Sequence, residues 1–155
     1  MNVNPTSATF IAEADPDNPG WLRWGLSDPS LFNAQVMAPL IARVEDGEKC
    51  RVRMFPERRH ANVSCKFVHG GVLLALADIS LFAGLRLMRD SDAEGSVTLD
   101  MSSQFISGAQ IETPLDAVVE ILDETGRMAF MRGLIEQEGR KVASYAGTLR
   151  KFPKR

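Results

Sequence analysis

The sequence predicts an α+β domain in which an antiparallel sheet lies against one long, buried helix. Three observations carry this reading. From Gly71 to about Arg89 the chain places Leu, Ala, Val, Ile, Met and Phe on nearly every face, as in a helix enclosed by other structure. After Gly95 the pattern changes to period two. Val97, Leu99, Met101 and Phe105 alternate with Thr98, Asp100, Ser102 and Gln104, which describes a strand with two unlike faces. Two turn-forming stretches, Glu124-Thr125-Gly126-Arg127 and Gln137-Glu138-Gly139-Arg140, then divide the C-terminal half into three strands, near Ala117–Leu122, Met128–Ile135 and Val142–Arg150.

The elements before the helix are read in chain order. Met1 to about Asp28 is rich in Pro and Asn, with Pro5, Pro16, Pro19 and Pro29 interrupting regular structure, so residues 1–34 are expected as an irregular lead packed on a domain of residues 35–155. Within it Trp21, Leu22, Trp24 and Leu26 are too apolar for a free tail. Asp28 followed by Pro29 supplies a capping carboxylate and a proline at a first helical position, and predicts a short helix through Phe32 and Val36. Leu40, Ile41 and Val44 then lead into Glu45-Asp46-Gly47-Glu48 and the alternating run Arg51-Val52-Arg53-Met54-Phe55. Asp-Gly between two such runs signals a tight hairpin.

Composition removes several function classes. The 155 residues are 45% hydrophobic, enough for one core in one domain. Eighteen basic against twenty acidic residues give a net charge of −2, without the basic excess that a nucleic-acid partner calls for. Cys50 and Cys65 form no Cys-x-x-Cys pair and are expected as reduced thiols, with no metal site. Glu13, Asp15 and Asp17 sit where a secretory signal would be apolar, so a cytoplasmic protein is expected. Asp78, Ser80 and Arg86 interrupt the apolar stretch enough to argue for a buried helix over a membrane span. Asp15-Pro16-Asp17-Asn18-Pro19-Gly20 imitates the opening of a calcium loop, but position five is Pro and position twelve is Leu26 where Glu is needed. No phosphate-binding glycine loop, Gly-x-Ser-x-Gly elbow or His-Glu-x-x-His pair is present.

What remains is His69-Gly70-Gly71 and the helix it opens. Two glycines at a helix start let the backbone present unpaired N–H groups to a ligand, where the helix dipole favours negative charge. That suits an oxyanion hole, and it also suits a plain turn before a core helix. Asp78 lies on a stripe with Leu74, Ala75, Leu81 and Phe82, and a carboxylate there loses hydration unless polar partners surround it. It is a candidate general base or nucleophile, or a structural Asp bonded to backbone or to Ser80. Eight residues separate Gly70 from Asp78, about 12 Å of helix rise, too far for both to touch one carbonyl. Two antiparallel copies of the helix across a two-fold axis bring the glycine end of one to the middle of the other, so a catalytic role for both predicts a homodimer.

These residues resemble the hotdog-fold acyl-CoA thioesterases of the phenylacetate-degradation (PaaI-like) type, within the 4-hydroxybenzoyl-CoA thioesterase superfamily. The resemblance rests on His69-Gly70-Gly71, six apolar residues and Asp78, then Val97-Thr98-Leu99-Asp100-Met101, and the ending Gly139-Arg140-Lys141-Val142-Ala143 through Gly147-Thr148; it spans roughly Gln35 to Arg150. It implies a long antiparallel sheet wrapped around a central helix, active sites at a dimer interface, and in many members a homotetramer. It makes Gly70 N–H the oxyanion donor, with Gly71 assisting, and Asp78 of the other subunit the base or nucleophile. Thr98 matches the hydroxyl that bonds the carboxylate or the attacking water. Asn62 is similar to the amide that orients substrate or water, though it stands one residue further from His69 than in the family. His69 is expected to shape the turn or contact the thioester. The family's aromatic-x-Arg-Pro-Ala segment is represented by Phe105-Ile106-Ser107-Gly108-Ala109, without the Arg-Pro.

The implied activity is hydrolysis of an acyl-CoA thioester to free acid and coenzyme A, with no cofactor beyond the coenzyme A carried by the substrate. Arg58, Arg59 and His60 with Lys66, and the tail Arg150, Lys151, Lys154 and Arg155, offer cations for the coenzyme A phosphates, although such a cluster is more often just a solvated basic face. The alternative is a non-catalytic hotdog module that binds acyl-CoA or acyl carrier protein.

Overall fold

The structure, a computed structural model, describes residues 7–89, 93 and 95–152. Its framework is one antiparallel sheet of eight strands: β1 (Phe10–Ala14), β2 (Leu22–Leu26), β3 (Leu40–Glu45), β4 (Lys49–Met54), β5 (Val97–Phe105), β6 (Leu115–Glu124), β7 (Met128–Gln137) and β8 (Arg140–Arg150). The spatial order is β1-β2-β3-β4-β6-β7-β8-β5. A single long helix, α1 (Gly70–Arg89), packs across it, chiefly on β4 and β6. This is the α+β layout that the alternation and the apolar run predict.

Local chemistry explains the turns. Asp46 and Gly47 both have positive φ, 52° and 69°, in the three-residue connection that follows the Glu45–Lys49 pair, a left-handed pair of residues that few types other than Asp-Gly adopt readily. Glu138 and Gly139 also have positive φ, 49° and 77°, and form the two-residue turn between β7 and β8. Glycine also sets the close approach of helix to sheet. A Cβ on Gly147 would lie 2.6 Å from Leu81 Cδ1, and one on Gly84 would lie 2.9 Å from Val119 Cγ1.

Two expectations for the N-terminal region are corrected. Of the segment 1–34 expected as an irregular lead, the part described from residue 7 onward is not irregular: β1 and β2 pair from Phe10 with Leu26 to Ala14 with Leu22, and β2 adds to β3. Pro16 and Pro19 fall in the connection, where Asp15 N–H donates to Trp21 O, so they turn the chain without removing a ladder bond, and Pro29 follows β2. Trp24 is 3% exposed and stacks on Phe10 with ring centroids 4.9 Å apart, while Trp21 lies beneath the guanidinium groups of Arg43 and Arg53. The helix expected after Asp28 is reduced to one wide turn, Asn33–Met37, closed by Ala38 N–H donating to Asn33 O. Pro29 and Pro39 bracket a stretch too short for ordinary helix nucleation, and Asp28 Oδ1 accepts Ser30 N–H in a local turn instead.

Nine α1 residues are buried, including Leu73, Leu76, Leu81 and Leu85. Length and composition alone would let α1 cross a membrane, but half of it is buried against the sheet. One polar pair crosses the core. Ser80 donates to Ala77 O at 2.7 Å, so Tyr145 O–H must be the donor in its 2.6 Å bond to Ser80 Oγ. The Tyr145 ring fills the space that a side chain at Gly133 would need.

Candidate active site

Asp78 sits where the sheet leaves the helix open. Gly71, Leu74, Asp78, Phe82 and Arg86 follow one another at three or four residues, forming one stripe of α1, and all five keep part of their surface accessible. The helix is therefore not covered on every side as its composition suggests. Both outer strands reach this stripe: Thr98 of β5 bonds Asp78, and Phe10 of β1 lies 6.1 Å from Phe82 between ring centroids.

Thr98 Oγ1 donates to Asp78 Oδ1 at 2.6 Å, a charge-assisted bond that gives the half-buried carboxylate its polar partner. Of the two structural partners weighed from the sequence, Ser80 faces the other way, into the core. A register irregularity between Thr98 and Asp100, in the pairing of β5 with β8, lies beside this contact and re-aims the strand there.

At the other end of the stripe, the amides around the helix start are nearly all engaged. His69 N–H donates to His60 O at 2.8 Å, Gly71 N–H to His69 Nδ1 at 2.8 Å, and Val72 and Leu73 N–H to His69 O. Gly70 N–H alone of these has no acceptor among the described residues. The double glycine thus supplies one open amide, because Gly71's is taken by the neighbouring imidazole. Accepting at Nδ1, the His69 ring carries its proton on Nε2, at the exposed side of the turn. The Phe105 ring borders Gly70, 3.4 Å from where a Cβ would lie.

The remaining expected residues are placed as follows. Asn62 Oδ1 accepts both Ser64 N–H and Ser64 O–H within its own loop; its side-chain nitrogen has no partner among the described residues. Arg58 is exposed, 3.7 Å from the Cys65 sulfur, and Lys66 is exposed without an ion pair among the described residues. Arg59 is held by structure: it donates to Gln35 O at 2.7 Å and Ala38 O at 3.0 Å. His60 leaves the basic cluster altogether, at 1% exposure. In the tail, Lys151 bonds Glu124 and Arg150 lies over the Phe152 ring, while Lys154 and Arg155 fall outside the described residues. Cys50 is buried, and desolvation, aided by Glu45, pushes its thiol up to about 12; Cys65 is exposed and also free.

Sequence reasoning missed two residues that shape the surroundings. Gln137, 2% exposed, donates to Gln110 O and Thr113 O and accepts Gln110 N–H, clamping the loop that lacks the Arg-Pro segment. His60 is the other. No sequence signal distinguishes a buried Gln or His of this kind from an exposed one.

No group of three or more His, Cys, Asp or Glu among the described residues could hold a metal ion. A groove of about 870 Å³ opens on the opposite face of the sheet, bordered by Lys49, Arg51, Glu120 and Arg132; Gly70, Asp78 and Thr98 are not among its lining residues.

Comparison with known proteins agrees with this layout. The sequence-family model of the thioesterase superfamily matches residues 66–144, from just before His69 to the middle of β8. Solved structures with the same fold include thioesterase superfamily member 2 of zebra fish, at 18% identity over 72% of this chain and 80% of that one, with a TM-score of 0.63. A mutant of the phenylacetic acid degradation protein PaaI of Thermus thermophilus aligns at 22% identity over 73% and 93%, TM-score 0.62. A hypothetical thioesterase of Streptococcus pneumoniae, solved with coenzyme A, aligns at 20% identity over 75% and 88%, TM-score 0.61. A search of curated protein sequences finds no match. With a hotdog sheet wrapped on α1, and the family model spanning the helix and the strands that carry these groups, this chain belongs to the thioesterase superfamily.

Proposed function

We propose that this protein hydrolyses an acyl-CoA thioester, as a homodimer with two composite sites. The observation that carries the reading is the pair of half-buried Asp78 and Thr98 on the open stripe of α1, with the unpaired Gly70 amide about 12 Å along the same helix. A second protomer packed on that stripe brings Gly70 of one chain to Asp78 of the partner subunit. The surface beside it is suited to burial: Leu74, Val97, Leu99, Phe105 and Ile106 are large, apolar and exposed.

The substrate carbonyl oxygen accepts from Gly70 N–H, which stabilises the tetrahedral oxyanion by about 3–4 kcal/mol. Asp78 removes a proton from water as the oxygen attacks the carbonyl carbon, or attacks directly to give an anhydride that water then opens. The carbon–sulfur bond breaks, and coenzyme A leaves as thiolate and regains a proton. Thr98 holds the carboxylate in place through its 2.6 Å bond, and Asn62 has an amide nitrogen available for substrate or water. His69 fixes the turn through Gly71. Arg58, whose contact is with the exposed Cys65 sulfur, and Lys66, without an ion pair among the described residues, face the coenzyme A phosphates. The chemistry uses this chain's side chains and water, with coenzyme A entering as part of the substrate, and a cytoplasmic setting fits such a substrate.

Thiol release from a panel of acyl-CoA substrates tests the activity: wild type turns over and Asp78→Ala does not. Mixing Gly70→Pro and Asp78→Ala subunits tests the shared site. Random pairing makes half the dimers mixed, each with one intact site of two, so activity returns to about a quarter of wild type. No recovery, with both variants folded and dimeric, refutes the composite site. Tight coenzyme A binding without turnover by wild type would favour the binding-module alternative.

A further inference from the structure

His60 is 1% exposed and both its ring nitrogens are occupied. Glu57 N–H donates to Nδ1 at 2.9 Å, which leaves the ring proton on Nε2, and Nε2 donates to Val36 O at 2.6 Å. The main-chain oxygen of the same residue accepts His69 N–H at 2.8 Å, one peptide before Gly70. One residue therefore ties the helical turn Asn33–Met37, through its side chain, to the turn that opens α1, through its main-chain oxygen. Arg59 adds bonds to Gln35 O and Ala38 O, so two consecutive residues hold three carbonyls of that stretch. The bridge between Ala61 and Val68 continues the pairing toward His69.

We propose that His60 is a positioning residue for the Gly70 amide. The proposal rests on the thioesterase reading of Gly70. Gly70 has no side chain of its own to fix its direction, and an oxyanion donor works only when aimed within about 0.5 Å of the developing charge. The His69 carbonyl, in the same peptide as the Gly70 amide, is held from the helix side by Val72 and Leu73 N–H; the bond from His69 N–H to His60 O holds the same residue from the preceding segment, and that oxygen is stationary because the imidazole is pinned at two nitrogens. Substrate binding does not involve His60, so its loss acts on the rate constant and leaves affinity alone.

Three full-length variants test this. His60→Leu removes both ring contacts, His60→Asn retains an acceptor near the Nδ1 position, and His60→Gln retains a donor near Nε2. With folding checked by circular dichroism at the assay temperature, His60→Leu lowers kcat by about tenfold to a hundredfold, the scale of a 1 Å misplacement, with KM and coenzyme A affinity within about twofold. His60→Asn and His60→Gln recover part of the lost kcat. Amide hydrogen exchange gives a readout without activity: in His60→Leu, but not in the other two, His69 N–H exchanges faster by tenfold or more. A folded His60→Leu with kcat within twofold of wild type, a parallel loss of kcat and coenzyme A binding, or unchanged His69 exchange overturns the proposal. If wild type itself cleaves no thioester, the thioesterase reading fails, and the exchange result alone decides whether His60 holds the turn.

Discussion

Replacing Thr98 separates the chemistry at Asp78 from the packing around it. The hydroxyl donates at 2.6 Å to a carboxylate oxygen, and both residues are half-buried. Hydrogen bonds to charged groups contribute about 1.5–3 kcal/mol, and water's access to a half-buried Asp78 sets the expectation at the lower end. Thr98→Val keeps the branched shape and opens no cavity, so a loss of about 1.5 kcal/mol from the transition state appears as roughly a tenfold fall in kcat. Thr98→Ser does the reverse. It keeps the hydroxyl and deletes a partly buried methyl worth less than about 0.8 kcal/mol, which lowers Tm by about 1–3 °C in a chain of this size. The assay is thiol release at saturating substrate beside a thermal melt of each variant. A crossed pattern is expected, with Thr98→Val slow but stable and Thr98→Ser active but less stable. Thr98→Val within twofold of wild type, or an equal fall in both variants, refutes the assignment of the hydroxyl to Asp78.

Two further outcomes follow from bonds elsewhere in the fold. Ser80→Ala leaves the Tyr145 O–H buried without an acceptor, whereas Tyr145→Phe leaves Ser80 still bonded to Ala77 O, so urea titration should show the larger loss, about 1–3 kcal/mol, for Ser80→Ala. The bond from Arg51 holds the Glu45 carboxyl below its ordinary value of 4.5, against the opposing effect of partial burial. A depressed carboxylate stabilises the fold above its unfolded-state value and loses that contribution as pH falls through the folded one, so Glu45→Gln should flatten the fall in urea midpoint between pH 5 and pH 3, by about 1 kcal/mol for this partly buried pair.

How much of this could be read beforehand depended on whether the signal was local. The Asp46-Gly47 hairpin was legible because its φ values admit few residue pairs, and α1 because twenty apolar-rich positions have few other uses. β1 and β2 were not, since each has five residues and the prolines joining them mask the alternation of Leu22, Trp24 and Leu26. The pairing of β5 with β8 joins segments about forty to fifty residues apart and leaves no local trace. In the site, Asp78 announced itself as an acid in an apolar run, but its bond to Thr98, twenty residues away, came only through the family resemblance. Arg58, Arg59 and His60 were grouped by charge, and folding sorts them by burial instead: Arg58 outward, Arg59 onto carbonyls, His60 inside.

The two edges of the sheet differ in a way that bears on assembly. An unpaired edge invites another strand unless it is short, charged or covered. β1 is short, with Glu13 exposed and Phe10 turned onto Trp24, and so it makes a poor template. β5 runs nine residues and exposes Val97, Leu99 and Phe105 at 45%, 52% and 54%, a long apolar edge beside Asp78 with no strand beyond it among the described residues. The proposed second protomer belongs at that edge, where pairing would cover apolar side chains on both faces of β5 and bring a partner to the open stripe of α1 in the same step. Leu99→Lys places a charge among them without touching Thr98 or Gly70. By analytical ultracentrifugation it should shift the protein from dimer to monomer, and thiol release should fall with the dimer fraction as protein concentration is lowered. Ala12→Lys, on the opposite edge, should change neither. A Leu99→Lys variant that stays dimeric and fully active, or a wild type that sediments as an active monomer, removes the shared site from the mechanism.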